Sequence, residues 1–130
     1  MTNNSYNQYM RSKILTASKA ELTLMLYDGA IKFCNMAILC IEKKDIPGAN
    51  TNIKKTEAIL EELMSTLNYK YPVAKEFKSV YEYLHERLVA ANLKKDTAML
   101  KEVLVHLREM RDTWKEVMRV VNAQKSASSL

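Results

Sequence analysis

Glycine, proline and cysteine are all scarce in this chain, with two of each in 130 residues. A dinucleotide-binding fingerprint needs three glycines within six residues and a phosphate-cradling P-loop needs two around the phosphate, but Gly29 and Gly48 stand far apart. Nucleotide-cradling loops are therefore excluded, and no cofactor is expected. Cys34 and Cys40 lie six residues apart in a segment of helical periodicity, about 9 Å in rise, beyond the ~7 Å Cα separation a disulfide tolerates. Without a Cys-x-x-Cys pair they read as reduced thiols lining a core. Long apolar runs are missing as well. The longest without a charge, Phe33 to Ile41, falls short of the ~20 residues that cross a bilayer, and the polar start Met1-Thr2-Asn3-Asn4-Ser5 has no signal-peptide core. A cytoplasmic protein without stable membrane insertion is expected.

What is present is 48% hydrophobic and 27% charged residues, enough for one domain that buries roughly two thirds of its unfolded surface. The net charge is +5, but it sits at the ends. Arg11, Lys13 and Lys19 precede the first acid and Lys125 lies in the tail, leaving 16 basic against 15 acidic residues elsewhere. The body carries no basic stripe interleaved with aromatics, so a nucleic-acid-binding surface would be confined to a basic arm, and no nucleic-acid partner is expected.

Periodicity predicts four helices. Ser18-Lys19-Ala20-Glu21 is a Ser-x-x-Glu capping box, giving Ser18 and Glu21 structural roles at the start of a helix over 18–43. Asp45 caps the second, over 46–67, with Pro47 in its first turn and a seam of Ile53, Thr56, Leu60, Leu63 and Leu67. The third covers 72–92 with Val73, Phe77, Val80, Tyr81, Leu84, Leu88 and Ala91. Asp96 caps the fourth, over 97–121, whose seam is Leu100, Val103, Leu107, Arg111, Trp114, Met118 and Val121. Short loops make consecutive helices antiparallel, so the expected fold is all-α: an up-down four-helix bundle over 18–121. Residues 1–17 form a mobile N-terminal arm and 122–130 a disordered tail.

The first helix has more apolar surface than a bundle requires. Glu21, Asp28, Asn35 and Glu42 recur every seven residues in one narrow polar stripe. Opposite it Leu26, Ala30, Phe33, Ala37 and Ile41 are expected in the core, with Leu24, Ile31 and Ile38 on one flank and Leu22, Met25, Gly29 and Met36 on the other. Met99, Met110 and Val117 add a flank on the fourth helix, where Val105 and Val120 face outwards. Such flanks, in a chain with eight methionines, suit a groove for an amphipathic partner helix. Covering by a second copy, giving a homodimer, is the alternative. Arg111, on the seam beside Trp114, needs an acid, with Asp28 or Glu21 as candidates. Glu82 and His85 have the Glu-x-x-His spacing of carboxylate-bridged di-metal bundles, but they face away from Leu84, and Glu102 and His106 are four apart, so no metal site and no catalytic residue is expected.

Thr16-Ala17-Ser18 running into Glu21-Leu22-Thr23-Leu24-Met25-Leu26-Tyr27-Asp28-Gly29-Ala30-Ile31-Lys32-Phe33 closely resembles the opening helix of the FliS flagellin export chaperones. Val80-Tyr81-Glu82-Tyr83-Leu84, Arg87 to Asn92 and Leu107 to Trp114 resemble that family in order and spacing, over about residues 6–121. The resemblance implies a non-enzymatic chaperone that binds the disordered C-terminal segment of flagellin, prevents early polymerisation and delivers it to a component of the flagellar type III export gate. It also implies that Tyr6 and Tyr9 belong to an arm that covers the groove when no client is bound.

Overall fold

The computed structural model describes residues 7–9 and 18–128. Residues 7–9 are helical. The body is four helices, α1 (Lys19–Glu42), α2 (Ile46–Ser65), α3 (Val73–Lys94) and α4 (Thr97–Ser128). Each packs on two others, α1 and α3 both on α2 and α4, which closes a square antiparallel bundle. The expected ends hold to within two residues except for α4. That helix continues through the segment expected to fray and reaches Ser128.

The helix starts follow from their caps. The Ser18 hydroxyl accepts from Glu21 N–H at 3.2 Å, Asp45 Oδ1 from Gly48 N–H at 3.0 Å, and Asp96 Oδ1 from Ala98 N–H at 2.9 Å. Glycine at position 48 makes room for this cap, because a Cβ there would collide with the Asp45 carboxylate and stand 3.0 Å from Cys40 Sγ. Both of these tight reversals use the same tripeptide. Lys43-Lys44-Asp45 links α1 to α2 and Lys94-Lys95-Asp96 links α3 to α4, with Lys44 at φ 62° and Lys95 at φ 52°. The Asp45 amide reaches back to Cys40 O at 2.7 Å and the Asp96 amide to Ala91 O at 3.0 Å, so one turn geometry is built twice at the same end of the bundle. A side chain in that left-handed region costs about 1 kcal/mol, which glycine would avoid.

In α1 the buried face is turned from the expected one. Tyr27, Ala30, Ile31, Cys34, Ala37 and Ile38 are buried, while Leu26, Phe33 and Ile41 are only partly covered. At 100° per residue this is a rotation of roughly 60° towards the Ile31 and Ile38 flank. The small residues explain it. Ala30, Cys34 and Ala37, all fully buried, let neighbouring backbones approach closely, and the Cys34 thiol reaches Leu100 O of α4 at 3.4 Å. Phe33 is displaced to the rim, where Lys55 of α2 lies 5.1 Å from its ring centre. By length and composition alone α1 could cross a bilayer, yet it is the helix that supplies the most buried core side chains, tied with α2.

Across the centre, the Tyr27 and Tyr81 hydroxyls of α1 and α3 share a hydrogen bond of 2.5 Å. Thr56 and Asn52 bring polar groups into the α2 interface and satisfy them within the helix, Thr56 Oγ1 donating to Asn52 O at 2.9 Å and Asn52 Nδ2 to Gly48 O at 2.8 Å.

Candidate functional site

Three cross-links set the register of α4 against its neighbours. Trp114 Nε1–H donates to Ala20 O at 2.9 Å, Cys34 meets Leu100 O, and Tyr83 and Arg87 of α3 reach Glu102 of α4. Counting along the antiparallel pairs, Trp114 stands level with the first turns of both α1 and α3. The fourteen residues of α4 beyond it, about 21 Å of helix, have no α1 or α3 beside them. No residue of α4 after Leu107 is buried among those described.

The apolar seam does not stop where the bundle does. Val117 (45% exposed) and Val121 continue the side of α4 that carries Met110, and Met118 continues the Trp114 line. On α3, Val73 and Val80 were expected in the core and are instead exposed, while Phe77 is half-buried. The result is an open apolar rim: Val73, Phe77 and Val80 on α3, Met110, Trp114, Val117 and Val121 on α4. On α1, Leu22, Leu24 and Met25 lie half-buried at the same end. A solvated apolar surface of this extent suits a partner with an apolar face of its own.

A polar clamp bounds the rim. Glu102 accepts from Tyr83 Oη at 2.7 Å and from Arg87 Nη2 at 2.8 Å, and Tyr83 stands edge-on to His106 with ring centres 6.3 Å apart. The Tyr83 hydroxyl, then the Arg87 guanidinium, hold the Glu102 carboxyl below the usual carboxylate range. This clamp fixes α3 to α4 beyond Val80, towards the closed end.

The expected partner-binding residues divide into three groups. Leu22, Leu24, Met25 and Val117 lie at the open end, and Met110 rests half-buried against the core. Met36 is exposed but lies near the opposite end, where Met99 is half-buried and packs on the core. Ile31 is not a surface residue: at 8% exposure it belongs to the core, carried there by the rotation of α1. Gly29 faces α2, where an added Cβ would stand 3.2 Å from Ile59 Cδ1. Tyr9 is exposed, and Tyr6 lies outside the described residues.

Arg111 finds Asp28 at 3.8 Å, but its closer acid is Asp112 at 3.1 Å, and both carboxylates are exposed. The buried acid that the seam position implied is absent among the described residues, because α4 has begun to leave the bundle. His85 pairs with Glu61 of α2 at 3.3 Å and Glu82 with Lys78 at 3.7 Å, so the Glu-x-x-His element is divided between two ion pairs. Among the described residues no three His, Cys, Asp or Glu side chains gather as a metal site would need. Val121, Val73 and Val80 were missed as surface because periodicity reports a face, whether or not a partner helix is long enough to cover it.

The family model of flagellar protein FliS matches residues 2–121. The chain is 40% identical over 116 residues to the flagellar secretion chaperone FliS of Bacillus subtilis, covering 89% of this chain and 87% of that protein. To the flagellar secretion chaperone FliS of Campylobacter jejuni it is 32% identical over 120 residues, covering 90% and 94%. A solved crystal structure described as a flagellar chaperone from bacteria superposes with a TM-score of 0.73 at 15% identity, over 92% of this chain and 98% of that one, a likeness of fold.

Proposed function

The chain belongs to the FliS family of flagellar secretion chaperones, and from that membership we propose that its client is flagellin, held by its C-terminal segment in the cytoplasm until export. The observation that carries the proposal is the open apolar rim, where the α4 seam runs past the ends of α1 and α3. A disordered client segment folds as amphipathic helix against Val117, Val121 and Met110 and the facing valines of α3. Its ordering entropy is offset by burial of its own apolar face, and that face is then withheld from polymerisation. Leu22, Leu24 and Met25 extend the surface on the α1 side, and Tyr6 and Tyr9 belong to a segment that covers it between clients. The loaded chaperone then presents its client to a component of the type III export gate. No catalytic step and no cofactor enters this reading.

Isothermal titration with a peptide of the last ~40 residues of the host's flagellin tests it. Micromolar or tighter binding, a negative heat-capacity change and a gain in helical circular dichroism are expected. No binding at ~100 μM peptide would refute it.

A further inference from the structure

At the end of the bundle opposite the apolar rim, a cleft of about 360 Å³ opens between α2 and α3 beside the second Lys-Lys-Asp turn. We propose that this cleft docks an acidic, leucine-bearing segment of a second protein, leaving the open end free. The inference is independent of the client assigned above.

The donors come first. Asn92 Nδ2 donates to Asn50 Oδ1 at 2.9 Å, which leaves the amide donors of Asn50 without a partner among the described residues. Lys54, one turn further along α2, feels the Glu57 carboxylate of the same cleft but closes no ion pair within 4.0 Å among the described residues. Lys95 is positioned by its own backbone: from the left-handed turn its ammonium donates to Asn92 O at 2.6 Å and to Asn92 Oδ1 at 2.7 Å, holding the Asn92 to Asn50 bridge in place. One carboxylate, Glu57, also lines the cleft, against two lysines, so the balance is positive. An incoming carboxylate therefore meets cations and free amide donors together.

The apolar component lies on the rim of the same cleft. Leu93 is 84% exposed, the highest value of any large apolar side chain among the described residues, and Val89 one turn before it is exposed too. Together they form an i, i+4 ridge on α3. A ridge beside a donor-lined cleft fits a chain in which leucine alternates with aspartate or glutamate. No aromatic lines the cleft for base stacking, and two lysines are few for a phosphate backbone or an anionic bilayer, which favours a protein segment over nucleic acid or membrane. Val89 stands sixteen residues along α3 from Val73, about 24 Å, so both surfaces can be occupied at once.

The test titrates the ¹⁵N-labelled protein with the peptide GELDELLG and with its uncharged counterpart GQLNQLLG. Expected are saturating amide shifts around the α2–α3 cleft with Kd below about 1 mM for the acidic peptide, and binding at least about tenfold weaker for the uncharged one. Lys54→Glu and Leu93→Ser should each weaken binding at least about tenfold with unchanged circular dichroism, while Val105→Ser leaves it unaltered. The proposal is overturned by absence of saturation, by equal binding of the two peptides, by shifts centred on the open end, or by tighter binding of oligothymidylate or phosphatidylglycerol vesicles.

Discussion

The two ends of this bundle use the same apolar spacing and reach opposite results. At the end with the Lys-Lys-Asp turns, Cys34, Ala37, Ile53, Thr56, Leu84, Leu88, Ala91, Leu100 and Val103 are all fully buried, each helix backed by two others. At the other end Val73, Val80, Val117 and Val121 sit at equivalent seam positions and meet solvent. Composition does not separate the ends. Helix length does, because α1 and α3 both begin level with Trp114 while α4 continues to Ser128. An apolar seam becomes core where facing helices are present and stays a solvated apolar face where they end.

The sharpest way to break that comparison is to truncate one residue at each end. Leu100→Ala, fully buried at the turn end, should destabilise the fold by about 2 to 5 kcal/mol in urea denaturation, whereas Val117→Ala should cost under about 0.5 kcal/mol. Equal losses would mean the overhang is packed after all. Next in size is the central hydroxyl pair: Tyr81→Phe strands the buried Tyr27 hydroxyl and should cost about 1 to 3 kcal/mol, while the double variant Tyr27→Phe/Tyr81→Phe recovers part of the loss. Val117→Ser combined with Val121→Ser should leave stability nearly unchanged and weaken the flagellin peptide about tenfold, near 1.4 kcal/mol, by titration calorimetry. Arg111→Ala, with both of its acids exposed, should cost under about 1 kcal/mol.

Titration offers a check on the buried core. Burial pushes the Cys34 thiol up to about 12 from an ordinary value of 9.0. Burial likewise raises Tyr27 and Tyr81 above 10.0, with the neighbouring Tyr27 adding to the rise at Tyr81. The unfolded chain ionises these groups first, so their contribution is intact below pH 9 and is lost as pH climbs towards 12. Cys34→Ala should flatten the alkaline limb of a stability profile, measured by denaturation at stepped pH.

Much of this architecture was legible in the residues. Ser18, Asp45 and Asp96 mark their helix starts because a short polar side chain before an apolar run has one local use, and the α2 seam was read correctly from Ile53 to Leu63. The face of α1 was not legible. With leucine, methionine or isoleucine on nearly every side, periodicity cannot choose among neighbouring arcs, and the choice fell to Ala30, Cys34 and Ala37, whose small size matters only once another helix approaches. The same holds for Val73, Val80 and Val121. Their spacing states which side of a helix is apolar, and only the lengths of the neighbours decide whether that side is covered.

The bond from Trp114 to Ala20 joins residues 94 positions apart, whereas the Lys-Lys-Asp turns join helices that are adjacent in the chain. Local hairpins close within microseconds and long loops close later, so α1–α2 and α3–α4 should form first and the Trp114 contact should complete the fold. The last contact to form, with the least buried surroundings, is also the first to open. Amide exchange should therefore quicken from the turn end towards Trp114 and beyond, and the bundle should open most readily beside the exposed apolar rim.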